Sequence, residues 1–128
     1  MIERLSPAGI PAPRGPYSPA VRAGDFIFVS GQVPVDPETQ QMKLGDIHSE
    51  TRLVLGNIKR VLEAAGAGVE DVVKCSVFLS DPADFAAMNE VYAEFFADAK
   101  PARTTVVCQF AMAGLKVEID CIAYKKSS

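Results

Sequence analysis

Arg103 and Glu118 are the residues of this 128-residue chain whose type and setting most directly suggest chemistry. Arg103 follows Lys100-Pro101-Ala102 at the start of an expected strand, which places its guanidinium near a sheet edge. A planar fork there suits a substrate carboxylate held by two parallel hydrogen bonds. The same position also suits an ordinary ion pair, for example with Glu118 on the following strand. Glu118 sits midway along an apolar, alternating strand that carries one other carboxylate, Asp120. Burial against a partner would raise its pKa and make it a proton acceptor near neutral pH, while a nearby Arg103 would oppose that shift. A solvent-facing strand residue is the plainer alternative. Asn89 interrupts the apolar stripe between Phe85 and Tyr92, so its amide needs a partner, either a neighbouring loop or a ligand. Tyr17 and Ser30 flank a proline-rich and apolar segment and are uninformative singly. His48, just after Asp46 and ahead of a helix, reads as solvent-facing.

The inventory excludes more than it selects. Cys75, Cys108 and Cys121 form no CxxC pair, and His48 is the only histidine, so a zinc or haem site fails on ligand count. No Ser-His-Asp set, phosphate loop or dinucleotide fingerprint is present, and no cofactor is implied. Three reduced, mostly buried thiols fit a cytoplasmic protein. Pro7, Pro11 and Pro13 break the N-terminal stretch, which is incompatible with a signal peptide, and no run approaches the roughly 20 apolar residues of a membrane span. A formal net charge of −3 and a pI near 5.1 supply no basic field for nucleic acid or anionic lipid. With 48% hydrophobic residues the chain can form one unstapled core, read as a single domain over residues 1–128. One small core seldom walls in a catalytic site on every side.

These residues need elements to position them. Ser6 to Pro19 carries five prolines and reads as extended and irregular. Asp25 to Ser30 reads as a strand ended by Gly31, and Val33 to Gly45 as loop or hairpin. A helix capped by Ser49 carries Val54, Ile58, Val61, Leu62 and Ala65 on one side and stops at Gly66. A second opens at Asp81-Pro82, with Phe85, Met88, Tyr92, Phe95 and Phe96 as its stripe. Three strands alternate. From Val72 to Ser80, Val73, Cys75, Val77 and Leu79 share a face. From Arg103 to Phe110, Arg103, Thr105 and Gln109 do. From Lys116 to Tyr124, Val117, Ile119, Cys121 and Ala123 oppose Lys116, Glu118 and Asp120. The order gives an α+β layer, a single sheet with both helices on one face.

The uncovered face is then expected to hold Phe26, Phe28, Val72 and Phe78 among Ser30, Ser76, Arg103, Thr105 and Glu118. So large an apolar patch predicts self-association through that face, with its ionisable groups desolvated between subunits.

Several runs together resemble the RidA (YjgF-like) family of reactive-intermediate deaminases over nearly the whole chain. They are Gly15-Pro16-Tyr17-Ser18-Pro19-Ala20, Val29-Ser30-Gly31-Gln32-Val33-Pro34, Asn57-Ile58-Lys59 and Leu62-Glu63-Ala64-Ala65-Gly66. Further along come Phe85-Ala86-Ala87-Met88-Asn89 with Tyr92 and Phe95-Phe96, Pro101-Ala102-Arg103-Thr104-Thr105, and Val117-Glu118-Ile119. The resemblance implies a chorismate-mutase-like fold assembled as a homotrimer with sites between subunits. It implies hydrolysis of 2-imino acids such as 2-iminobutyrate and 2-iminopropanoate, derived from enamines, to 2-keto acids and ammonia. On the same resemblance Arg103 matches the carboxylate-binding arginine and Glu118 the acid that holds or activates water, with Tyr17, Ser30, Gly31 and Asn89 lining the cleft. Thr105 departs from the type member, which has cysteine there; threonine can still line the site, but no thiolate mechanism can run through it. A carboxylate binder without turnover shares Arg103 but does not need Glu118. Some relatives are described as ribonucleases or translation inhibitors, a role the acidic composition argues against.

Overall fold

The computed structural model describes residues 1–127. Eight principal elements follow in order: β1 (Ile2–Leu5), β2 (Ala20–Ala23), β3 (Phe26–Gln32), α1 (Ile47–Ala64), β4 (Val72–Leu79), α2 (Phe85–Phe96), β5 (Ala102–Val107) and β6 (Val117–Tyr124). The strands form one mixed sheet in the order β1-β2-β3-β6-β4-β5. Only β4 and β5 run parallel, and α2 is the crossover between them. Both helices lie on one face, as the one-sided stripes predict. Two strands, β1 and β2, exceed that expectation: they are four residues each and too short for their alternation to register.

The core lies between the sheet and the helices. Ile27, Cys75, Val77, Val117, Ile119 and Ala123 project from the strands onto Val54, Ile58, Leu62 and Met88, all essentially buried. Truncating one of these large aliphatics, Ile58→Ala for instance, removes transfer energy and leaves a cavity, a loss of about 2–5 kcal/mol.

Local chemistry corrects three expected details. Asp46, not Ser49, caps α1: its Oδ1 accepts from the Ser49 backbone N–H at 2.8 Å, and those hydrogen bonds hold its carboxyl below the usual range. Ser49 and His48 lie inside the first turn, and His48 Nε2 sits 3.3 Å from Glu90 Oε2 instead of facing only water. At the other end Gly66 takes the expected left-handed conformation (φ +85°). Asp81 caps a short 3₁₀ turn, Pro82–Asp84, that leads into α2. In β4 a bulge against β6 between Val72 and Lys74 shifts the alternation. Val72 therefore points into the core and Val73 outward, the reverse of strict period two.

Candidate active site

Arg103 occupies β5, an edge strand, as its position after Pro101 predicts. Its face is not the expected one. Parallel pairing sets Arg103 opposite Cys75 and Thr105 opposite Val77, both core residues, so Arg103 and Thr105 stand on the helix side. Thr104 and Val106 take the open face instead, where Lys74 Nζ donates to Thr104 Oγ1 at 2.7 Å. The strand ends at Val107, short of Phe110.

On the helix side the guanidinium meets α2. Phe85, Asn89 and Tyr92 are four and three residues apart and therefore share one helical face. Arg103 Nη1 donates to Asn89 Oδ1 at 2.8 Å, which answers where the amide in the apolar stripe finds its partner. The Arg103 Cζ lies 4.7 Å from the Tyr92 ring centre and 5.7 Å from that of Phe85. Cation–π contacts of this kind contribute about 0.5–2 kcal/mol each, more as water is excluded. Among the described residues no carboxylate lies within ion-pair distance of Arg103. Asn89, Tyr92, Lys100 and Pro101 line a cleft with it. Two buried hydroxyls close by, Tyr92 Oη and Thr105 Oγ1, have no hydrogen-bond partner among the described residues. Burial, then the neighbouring Cys75 thiol, raises the Tyr92 hydroxyl far above its ordinary value, so it stays protonated.

Glu118 lies where the alternation of β6 puts it, on the open face. Its partner across the ladder is Phe78, also on that face. Burial first, and the Asp120 carboxylate second, push its pKa above the ordinary glutamate value. No cation offsets this among the described residues, so the expected opposing effect of Arg103 is absent. The two charges stand on opposite faces of the sheet with β4 between their strands, and no ion pair joins them.

Gly31 belongs with Glu118. A register shift between Val29 and Gln32 makes Ser30-Gly31 a bulge in β3, and the Glu118 carboxylate folds over the Gly31 backbone. A Cβ at Gly31 would collide with that carboxylate, so glycine is what lets the acid lie there. Ser30 acts as a tether: its Oγ donates to the Ser18 carbonyl at 2.6 Å and its N–H to the Pro19 carbonyl at 3.0 Å. That brings the proline segment against the bulge. Tyr17, about half exposed, lines one depression with Pro13, Arg14, Gly31 and Gln32, and its Oη accepts from the Arg14 N–H at 3.2 Å. Tyr17, Ser30, Gly31 and Glu118 thus form one cluster, and Asn89, Arg103 and Thr105 another.

Sequence reasoning passed over Glu50. It is fully buried in α1, where Oε1 accepts from the Lys116 backbone N–H at 2.8 Å and Oε2 from the Gly45 N–H at 3.1 Å. Lys116 Nζ lies 3.5 Å from Oε2. The clamp fixes the entry to β6 two residues before Glu118. A carboxylate at helical spacing from Ile47 and Val54 was the available signal. The thiols of Cys75 and Cys121, opposite one another on β4 and β6, are raised by burial and suit a core, not a nucleophile. Among the described residues no cluster of ligands could hold a metal, and no helix is long and apolar enough to cross a membrane.

Known proteins share this architecture. Residues 8–125 match the family described as Endoribonuclease L-PSP. A RutC family protein of Pyrococcus horikoshii is 49% identical over 126 residues, covering 98% of this chain and 100% of that protein. The 3-aminoacrylate deaminase RutC of Acinetobacter baylyi is 38% identical over 95% of this chain and 97% of its own length. The crystal structure of RidA from an Antarctic Psychrobacter superposes with a TM-score of 0.90 at 38% identity, covering 95% of this chain and 98% of that one.

Proposed function

The chain belongs to the Endoribonuclease L-PSP family that includes RutC and RidA proteins, and on that premise we propose that it hydrolyses 2-imino acids to 2-keto acids and ammonia. The observation that carries this reading is a pair of half-buried, opposite charges with no ion-pair partner among the described residues: a guanidinium held only by neutral groups and a carboxylate raised by desolvation. An unpaired, partly buried arginine is a site for an anion. A carboxylate with a raised pKa is suited to moving protons near neutrality.

The reaction needs little else. Arg103 binds the substrate carboxylate and fixes the imine carbon. Glu118 takes a proton from water as its oxygen bonds to the carbon of the protonated imine, giving a tetrahedral adduct that carries hydroxyl and amine. The protonated carboxyl returns that proton to the amine nitrogen, and the carboxylate then takes the hydroxyl proton as the carbonyl forms and ammonia leaves. Orientation and proton transfer together supply the acceleration, with acid–base assistance contributing about 10²–10⁴-fold. A 3-aminoacrylate, the substrate named for the Acinetobacter relative, is an enamine whose imine tautomer also joins an electrophilic C=N carbon to a carboxylate, one carbon further apart than in a 2-imino acid.

Because Arg103 and Glu118 lie on opposite faces, one chain cannot bring them to one substrate. The reading therefore includes a homotrimer in which the Glu118 cluster of one copy faces the Arg103 cluster of the next. The open face suits such burial: Phe26 and Phe28 are each 43% exposed and Tyr124 46%. A cytoplasmic setting accords with three free cysteines.

The test is release of 2-ketobutyrate and ammonia from 2-iminobutyrate generated in situ, followed against buffer hydrolysis. Rates well above buffer that vanish with Arg103→Ala support the assignment, and normal turnover by that variant refutes it. A carboxylate binder without turnover is the second reading, favoured by the completeness of the Arg103 cluster within one chain. Glu118→Gln separates the two: binding kept with hydrolysis lost supports the enzyme. An RNA-directed role would require phosphate contacts that a net charge of −3 does not provide, and tight, steeply salt-dependent RNA binding would revive it.

A further inference from the structure

The surroundings of Arg103 are unusual for a fixed arginine. Such side chains are ordinarily held by a carboxylate, which orients the guanidinium and neutralises it together. Here the orienting groups are all uncharged: the Asn89 amide oxygen at 2.8 Å and the rings of Tyr92 and Phe85 at 4.7 and 5.7 Å. Only one of its N–H donors is engaged among the described residues. All three holding groups come from one face of α2, so a single rigid helix sets the position of the charge.

We propose that Phe85, Asn89 and Tyr92 are positioning residues that hold Arg103 without neutralising it, reserving its charge for a ligand carboxylate. This rests on the carboxylate-binding role of Arg103 proposed above. Asparagine is the informative member. Aspartate has the same size and keeps the accepting oxygen, so a purely structural role predicts that Asn89→Asp preserves or strengthens the contact. If the neutral partner matters, the added charge competes directly with the ligand. The rings act differently: they limit the orientations of a long, flexible side chain and leave its in-plane edge for the carboxylate.

The experiment is titration of the full-length protein with 2-ketobutyrate, paired with steady-state hydrolysis of 2-iminobutyrate. Asn89→Asp is expected to weaken 2-ketobutyrate binding and raise KM by about tenfold or more, with kcat at saturation within about threefold and an undiminished melting temperature. Tyr92→Leu is expected to raise the dissociation constant by about three- to tenfold, and Tyr92→Phe to restore it because the ring returns. Should Tyr92→Leu fail to fold, Phe85→Leu at a 44% exposed position carries the same test. Wild-type affinity in Asn89→Asp overturns the proposal, as does unaltered binding in both leucine variants. Wild-type protein that binds 2-ketobutyrate without hydrolysis would refute the deaminase reading while leaving this inference to be judged on affinity. Wild-type protein that does not bind it at all refutes both.

Discussion

The two charged clusters are built on contrasting principles. Around Arg103, a helix face and a strand edge bring neutral groups to a cation and leave most of its donors free. Around Glu118, a backbone bulge makes room for an anion, and burial beside Asp120 discourages its ionisation. On the proposed reading the first cluster, complete within one chain, recognises the substrate, and the second, half of a site, exchanges a proton. The difference teaches that the surroundings of each charge, and not the charge alone, set what it is suited to do.

Removing Arg103 should have the largest effect. With Arg103→Ala, kcat/KM for 2-iminobutyrate is expected to fall by about a thousandfold or more and 2-ketobutyrate binding to be lost, since a charge-assisted bidentate contact disappears. Calorimetry and the coupled assay check both. Loss of turnover with affinity intact would break the assignment of recognition to this cluster.

Glu118→Gln should be next, lowering kcat by about a hundredfold while affinity survives. In the wild type, kcat/KM should fall as the pH drops through the raised pKa of Glu118, because the base becomes protonated. The stability consequence has the opposite direction. A carboxyl whose folded pKa exceeds its unfolded value costs nothing below the unfolded value, and its penalty grows as pH rises through the folded one. Glu118→Gln should therefore melt higher than the wild type at neutral pH and lose that advantage in acid. A melting difference that does not change with pH would contradict the desolvated carboxylate.

Gly31→Ala tests the cradle more gently. The methyl group displaces the Glu118 carboxylate without removing it, so kcat should fall by about tenfold with little change in 2-ketobutyrate affinity. A change in affinity instead would mean that the two clusters do not divide the work as described.

Much of this arrangement was legible in the residues. Proline before Arg103 marked the edge strand, the alternation of Val117, Ile119 and Cys121 fixed the face of Glu118, and the helix stripes placed both helices on one side. The face of Arg103 was not legible. In β5 both alternating sets contain threonine and valine, so hydrophobicity does not distinguish the sides, and only the parallel register with β4 does. Bulges are equally silent. Val72 and Gly31 depend on an extra residue in one strand, which is visible only once the partner strand is paired. Glu50 escaped because a buried carboxylate looks like a polar interruption until the backbone N–H groups of Gly45 and Lys116 are seen to meet it.

On the proposed reading a working site takes its cation from one chain and its carboxylate from another. Mixing tests this most directly. Arg103→Ala and Glu118→Gln, each nearly inactive alone, are dissociated, combined in equal amounts and reassembled. If each site draws Arg103 from one copy and Glu118 from its neighbour, random assembly recovers about a quarter of wild-type activity. Activity no higher than that of either variant alone, with mixed assemblies demonstrated by mass, would contradict it.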